Sequence, residues 1–317
     1  MPVFHVTDYL PSLLFKNRHF NTIYQTAFRK VNHIPYERKR IKTPDKDFLD
    51  IDLLKTGSKS VAILCHGLEG SSKAKYILAT AAILRENKID VVAMNYRGCS
   101  GEPNKKVFFY HSGKTDDLDL IIKNVQKDYK EIFLIGFSLG GNLILKYLGD
   151  NSIKKSSKIK KACAVSVPCD LSSASDNLSK LSNYIYKKRF FRRFQEKIIK
   201  KMKIMPKKIS VEPFKQVKSM RDYDDAYVAP FFGYKDAEDY YQKESCKKFI
   251  PRIKNSTLIV NALDDPILTE KCHPIEEAEN SKYVRLELSK YGGHVGFCNF
   301  GKEPYWVEKR VIGFIKY

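Results

Sequence analysis

The chain has 317 residues, 43% of them hydrophobic and 29% charged, which excludes a disordered polypeptide and suits one large α/β domain with an insertion or two ordinary domains. No stretch reaches the about 18 consecutive apolar residues of a membrane span. Met1-Pro2-Val3-Phe4-His5-Val6-Thr7-Asp8 lacks the basic leader and apolar run of a secretory signal, so a cytoplasmic protein is expected. The net charge of +21 is unevenly placed: residues 151–220 hold 19 Lys and Arg against four acids and carry +15 of it. With 44 Lys to 13 Arg and no recognition motif alongside, this charge argues against a nucleic-acid partner. It leaves peripheral contact with a membrane open for the basic segment. Seven cysteines, an odd number without C-x-x-C or zinc-finger spacing, predict buried thiols in a reducing compartment rather than a disulfide framework.

In chain order, the first continuous apolar run is 61–65. It is followed by an Ala/Leu-rich helical stretch at 74–86 and a second run at 91–94. A helix is predicted over 116–125, where leading acids suit a helix N-terminus. The run 132–135 precedes a helix-forming stretch at 142–148, and the run 162–167 follows. Runs without alternation suit strands covered on both faces, and their alternation with helices reads as a doubly wound, mostly parallel sheet. The pattern then breaks for roughly 85 residues, too long for a plain connection. Within that gap Phe190, Phe191, Phe194, Ile198, Met202 and Met205 recur at helical spacing, opposite Lys187, Lys188, Arg192, Arg193, Lys197, Lys200 and Lys201. This predicts an amphipathic cap helix with a solvated cationic face, whose aromatic face either packs on the sheet or lines an acyl pocket. Strands resume at 258–260. Val284-Arg285-Leu286-Glu287-Leu288 alternates, as a half-exposed strand near the sheet edge would.

Gly136-Phe137-Ser138-Leu139-Gly140 falls between the run 132–135 and the helix after it. A G-x-S-x-G in that setting is the nucleophile elbow of α/β-hydrolases, with glycines flanking the serine because the turn leaves no room for a Cβ. Such a serine needs an acid and then a histidine later in the chain. Asp264 and Asp265 both follow the 258–260 strand. Asp265 is preferred because it stands three residues after the small residue Ala262, and Asp264 is the alternative. His294, in Tyr291-Gly292-Gly293-His294-Val295-Gly296, follows the last strand as the base; the other six histidines do not match that position. The oxyanion donors expected are the amides of Leu139 and of Leu68, the latter in His66-Gly67-Leu68-Glu69-Gly70 directly after 61–65. His66 is read as a turn residue. No H-E-x-x-H exists, so no metal is expected. His111 and Asp116 form an H-x-x-x-x-D, read as a loop histidine followed by a helix-capping aspartate.

These motifs carry a likeness that runs nearly end to end. The chain resembles the YheT-like branch of the α/β-hydrolases, also called the AB hydrolase 4 family. Lys16-Asn17-Arg18-His19-Phe20-Asn21-Thr22-Ile23 is similar to that family's N-terminal element, with Arg18 and Asn21 departing from it away from the triad, where only N-terminal packing should differ. Thr43-Pro44-Asp45 with Phe48-Leu49-Asp50 resembles its early hairpin. Asn95-Tyr96-Arg97-Gly98-Cys99-Ser100-Gly101-Glu102-Pro103, Tyr110-His111-Ser112-Gly113, Val167-Pro168-Cys169-Asp170-Leu171, Ala229-Pro230-Phe231-Phe232-Gly233-Tyr234 and Ala262-Leu263-Asp264-Asp265-Pro266 are near-verbatim matches, as are the Leu68 and His294 segments.

The resemblance implies an α/β-hydrolase fold, a mostly parallel doubly wound sheet with a helical cap inserted after strand 6. Residues 1–171 would form the core part with the nucleophile, 172–250 the cap, and 251–317 the core part with acid and base. It implies Ser138, Asp265 and His294 as nucleophile, acid and base, and Leu68 and Leu139 as oxyanion donors. The expected activity is hydrolysis of medium- to long-chain acyl esters or lipids through an acyl-enzyme, with no cofactor and a small-molecule or lipid ester as substrate. An acyltransferase or lysophospholipase using the same serine, and a non-catalytic lipid-binding protein of this fold, are the alternatives.

Overall fold

The computed structural model describes residues 4–6, 8–301 and 303–317. Met1, Pro2, Val3 and Thr7, part of the stretch considered above for a leader, lie outside the described residues. The sheet has nine strands: β1 (Phe4–Val6), β2 (Glu37–Lys42), β3 (Phe48–Leu54), β4 (Ser60–Cys65), β5 (Asp90–Met94), β6 (Glu131–Phe137), β7 (Ile159–Val165), β8 (Ser256–Ala262) and β9 (Val284–Ser289). Their order is β1-β9-β8-β7-β6-β4-β5-β3-β2, with β3 antiparallel to both β2 and β5 and the other pairs parallel. The early hairpin expected by resemblance is β2–β3.

Both faces are covered, as the uninterrupted apolar runs require. Helices α2 (Lys75–Glu86) and α11 (Trp306–Lys316) bury Ile77, Leu84, Val311 and Ile315 on one side. Helices α3 (Thr115–Val125) and α4 (Leu139–Gly149) bury Leu118, Ile121, Leu143 and Ile144 on the other, with Ala278 of α10 (Ile275–Glu279). Helix α1 (Arg18–Ala27) precedes the hairpin. The long gap between β7 and β8 is helical: α5 (Leu171–Ser179), α6 (Tyr184–Ile204), α7 (Met220–Tyr223), α8 (Ala229–Phe232) and α9 (Ala237–Glu244). It leaves the sheet after the sixth strand counted from β2. All seven cysteines are unpaired, and among the described residues no helix is long and apolar enough to cross a membrane.

Three details differ from the expectations. The strand expected over 162–167 stops at Val165, because Ser166 turns to φ 52° and gives its amide to the Val260 carbonyl at 2.8 Å. β9 lies near the sheet edge as expected, with only β1 outside it, but it is not half-exposed: Glu287 is 2% exposed, held by Arg310 and Arg285 at 2.6 and 2.7 Å. Its alternation therefore reflects a buried ion cluster, not solvent. The basic residues of α6 do not all form an outer face. Lys201 is fully buried, its Nζ donating to the Asn104 and Lys106 carbonyls and to Asn104 Oδ1, and burial pushes its ammonium down to about 8. Lys197 meets Glu69 at 2.8 Å. The expected apolar face does turn inward, with Phe194 and Ile198 buried and Phe194 stacked on Tyr223 at 4.1 Å.

In the parallel register Cys65 lies opposite Gly136, so the loop after β4 and the turn after β6 leave the sheet side by side. The start of α4 is pressed against that loop: a Cβ on Gly140 would sit 2.2 Å from the Cys65 carbonyl oxygen. Gly140→Ala is therefore expected to destabilise the fold by about 1–3 kcal/mol, as overpacking against rigid backbone does. A urea-unfolding midpoint equal to that of the unsubstituted chain would contradict this close approach.

Candidate active site

The turn from β6 into α4 places Ser138 at φ 53°, ψ −120°, outside the regions a residue with a Cβ normally occupies. It is held there from three sides. The Ser138 amide donates to the Val165 carbonyl at 2.8 Å, and its own carbonyl accepts from Gly141 and Asn142. A Cβ on Gly136 would fall 2.3 Å from the Gly140 oxygen, which is why glycine stands before the serine as well as after it.

Asp265 and His294 reach this serine from the ends of β8 and β9. His294 Nε2 is 2.9 Å from Ser138 Oγ, and His294 Nδ1 is 2.8 Å from Asp265 Oδ2. Asp265 is 4% exposed, and its other oxygen accepts the amides of Ile267 and Leu268 at 2.8 and 3.2 Å. That pair of donors aims the carboxylate at the imidazole. Asp264 does not touch His294; its Oδ1 accepts the Gly293 amide at 2.9 Å, one residue before the histidine.

The two amides expected as donors lie beside Ser138. Leu139 is the first residue of α4, so its N–H has no intrahelical acceptor. Leu68 sits in a turn closed by Gly70 N–H to the Gly67 carbonyl at 3.0 Å, and its own amide has no acceptor among the described residues. The loop is pinned from below by Tyr76, whose hydroxyl accepts the Gly67 amide at 2.9 Å. It is pinned from above by α6: Arg193 donates to the Glu69 carbonyl, and the Glu69 carboxylate takes Lys197 and the Tyr110 hydroxyl at 2.8 Å each. His66 is fully buried, bonded to the Gly67 carbonyl at 2.8 Å, and burial pushes its imidazole down to about 3. It stays neutral and holds the turn.

A family described as alpha/beta hydrolase fold matches residues 62–298, three-quarters of the chain. The chain belongs to the α/β-hydrolase fold family. Within it the chain is YheT-like: YheT of Escherichia coli, a protein with an esterase name, is 30% identical over 96% of this chain and 92% of its own length. Phospholipase ABHD3 of Bos taurus is 29% identical over 83% of this chain and 67% of that protein. The monoacylglycerol lipase of Saccharomyces cerevisiae is 27% identical over 86% of this chain and 62% of that protein. Among solved structures, the esterase Pf2001 of Pyrococcus furiosus superposes with a TM-score of 0.60 at 18% identity, over 91% of this chain and 97% of that one, a likeness of fold.

This hydrolase has two spaces meeting at Ser138. An inner cavity of about 120 Å³ is lined by Leu171, Ala174, Leu178, Phe194 and Met220 of α5, α6 and α7, and by Asp224 and Tyr241. An outer groove of about 440 Å³ opens between α1 and α6, where His19 Nδ1 meets the Tyr186 hydroxyl at 3.1 Å. Leu68, Phe190 and His294 line both. The H-x-x-x-x-D does not assemble. His111 is buried against Phe232 and lines the inner cavity, whereas Asp116, in the first turn of α3 rather than at its cap, pairs with Lys114 at 2.7 Å. No group of three or more His, Cys, Asp or Glu among the described residues could hold a metal ion.

Sequence reasoning missed the residues that seat the histidine loop. Thr22 Oγ1 accepts the His294 amide at 2.8 Å, and Ser166 Oγ accepts the Val295 amide at 2.9 Å. Asn21 Oδ1 accepts from the Cys298 amide, and a Cβ on Gly293 would meet Thr22 Oγ1 at 2.6 Å. The N-terminal element, whose departures at Arg18 and Asn21 are expected to affect N-terminal packing alone, thus forms one wall of the site. Its similarity to a family element was the available signal; nothing in its pattern tied it to a loop some 270 residues away.

Asp264 carries a testable cost. Desolvation, with the Asp265 charge beside it, pushes its carboxyl up to about 6. An acid whose folded pKa exceeds its unfolded value loses stability as pH rises from near 4 through about 6, and none beyond. Asp264→Asn keeps the acceptor for Gly293 and removes that slope, so it should melt higher than the unsubstituted chain at pH above 6 by an amount worth up to about 2 kcal/mol, with the difference vanishing near pH 4. Equal melting temperatures across that range would contradict the assignment.

Proposed function

We propose that this α/β-hydrolase is a carboxylic ester hydrolase in which Ser138 is the nucleophile, His294 its base and Asp265 the acid that orients the base. The observation that carries the reading is the unbroken run of hydrogen bonds Asp265–His294–Ser138, 2.8 and 2.9 Å long, at the junction of cavity and groove. The esterase, phospholipase and monoacylglycerol lipase names among the relatives support the same class of chemistry.

In this reading Ser138 Oγ attacks the ester carbonyl while His294 Nε2 takes its proton, and Asp265 steadies the imidazolium. The amides of Leu68 and Leu139, without protein acceptors, receive the oxyanion. His294 returns the proton to the leaving alcohol. Water then adds to the acyl-serine with His294 again as base, releasing the acid. No cofactor is needed. Residues 172–250 act as the cap, since α5, α6 and α7 supply the walls of the inner cavity. The acyl chain enters there because its near walls are apolar.

Ser138→Ala is expected to lower esterase turnover by about 10⁴–10⁶-fold and to abolish labelling by a fluorophosphonate. Asp265→Asn should cost about 10⁴-fold, far more than Asp264→Asn. A larger loss from Asp264→Asn would transfer the acid's role to that residue, and full activity in Ser138→Ala would end the serine mechanism.

A polar stretch of the cavity wall also sets a chain length. Asp224, in that wall, is buried and bonded to the Tyr241 hydroxyl at 2.5 Å, and burial pushes its carboxyl up to about 7. A polar wall gains nothing from further methylenes. Across p-nitrophenyl esters, kcat/KM should rise about threefold per CH₂ from acetate, peak at a medium chain, and fall by palmitate. A continued rise to palmitate would place the chain elsewhere.

A further inference from the structure

We infer that the rim of the outer groove is a docking face for the surface of an anionic lipid bilayer, with apolar side chains set among the headgroups and unpaired cations held against their charge. The inference does not rest on the serine mechanism: it concerns what the mouth of the groove faces, whatever the chemistry inside.

Three segments border this mouth: the helical turn Leu13–Lys16 with the start of α1, the turn Leu181–Asn183 with the start of α6, and the loop after β8. Contacts tie them together. His19 stacks on Tyr186 with ring centroids 5.9 Å apart, and Asn183 Nδ2 donates to the Pro266 carbonyl at 2.7 Å. Lys16 Nζ lies 5.9 Å from the ring of Tyr291 in the histidine loop. On these segments Leu13, Leu14, Leu181, Tyr184, Ile185 and Leu263 are left in solvent, Leu13 and Leu181 at 79% and 87% exposure. Ile185 also lines the groove. Single exposed leucines are ordinary on a protein surface, whereas a set gathered on one rim marks a contact face. The fold does not use them. Phe15 already fills the buried position of the first turn, and Phe194 and Ile198 are the side chains α6 buries.

The charge on the same segments has one sign. Residues 9–36 and 177–195 contain no Asp or Glu, and the two acids after β8, Asp264 and Asp265, turn inward to the histidine loop. Lys16, Lys180, Lys188 and Arg189 are exposed, and none is in an ion pair among the described residues. Lys188 instead rests over the ring of Tyr184 at 5.9 Å. Aliphatic tips, rings and lysines side by side are the composition of a segment that lies in the headgroup layer. Lysine is depleted at protein interfaces, so the same rim suits a second protein poorly. Apolar insertion and attraction to anionic lipid are each weak alone, and the two together give stable docking. Docked on this rim, the molecule turns the mouth of the groove toward the bilayer.

The test is co-sedimentation of the full chain with vesicles of diether phosphatidylcholine, alone or with about one-third diether phosphatidylglycerol, whose ether links cannot be hydrolysed. The anionic vesicles should bind at least about tenfold more tightly, and less so as salt is added. Leu13→Ser with Leu181→Ser should weaken that binding by about tenfold or more, with the melting temperature unchanged. Lys180→Gln with Lys188→Gln should do the same. Lys88 and Lys130, exposed before β5 and β6 at the opposite end of the sheet, are the control. Replacing both by Gln removes the same charge and should change binding by less than about twofold. Absence of binding to the anionic vesicles overturns the proposal. So does an equal loss from the control pair, or binding indifferent to the leucine pair, since either reduces the contact to diffuse charge. A concentration-dependent dimer that the leucine pair dissolves overturns it too, by making the rim a contact between two copies. Fluorophosphonate labelling of Ser138, measured without vesicles, should be the same in every variant, so a failure of docking and a failure of the serine mechanism are read separately.

Discussion

The site depends on one close approach: the first turn of α4 pressed onto the end of β4. Ser138 can hold φ 53° because Gly136 and Gly140 let three backbone segments meet where any side chain would collide. Such a conformation costs on the order of 1–3 kcal/mol and persists only where its surroundings over-determine it. Here the parallel register of β4, β6 and β7 does so, since the Ser138 amide is fastened to the end of β7 and Gly140 rests on the carbonyl of Cys65. The same contact sets the loop bearing Leu68 beside the serine. Strain at the turn and placement of two free amides are consequences of a single packing decision.

A second constraint comes from above. α6 is more than a cover, because three of its cations reach down into the body of the protein. Arg193 and Lys197 fasten the loop that follows Leu68, and Lys201 is enclosed by the carbonyls around Asn104. Buried charges without excellent partners are costly. Lys197 has the Glu69 carboxylate, whereas Lys201 has only neutral acceptors and gives up some of its basicity. The position of α6 and the geometry of the loop bearing Leu68 are therefore mechanically linked. A displacement of α6 would strain the loop that bears Leu68.

How far the site was legible in the sequence follows from the range of the interactions involved. Ser138 announces itself because the turn that strains it also demands glycines at fixed offsets. The buried strands announce themselves through uninterrupted apolar runs, and His294 through the glycines that let its loop close in. Between Asp264 and Asp265 the sequence alone offers a spacing argument, and the distinction rests on which carboxylate faces the imidazole and which faces the Gly293 amide. The roles of Thr22 and Ser166 could not be read from the residues themselves: each is an ordinary hydroxyl residue whose role arises from a contact more than a hundred positions away. Lys197 and Lys201 misled for the opposite reason. Charge on a helix normally marks the wet face, and only their burial partners reveal that these two point inward.

The division of space around Ser138 ties these elements to substrate choice. Phe190 lines both the apolar cavity and the cationic groove, and the residues that continue α6 in each direction separate accordingly: Phe194 turns to the cavity, Arg189 and Arg193 to the groove. One helix thus presents an aromatic side chain to the cavity and cationic side chains to the groove. The two spaces meet where the hydroxyl, imidazole and free amides converge. The unusual basicity of residues 151–220 is then not wholly a solvated surface, since part of it faces the groove beside Ser138.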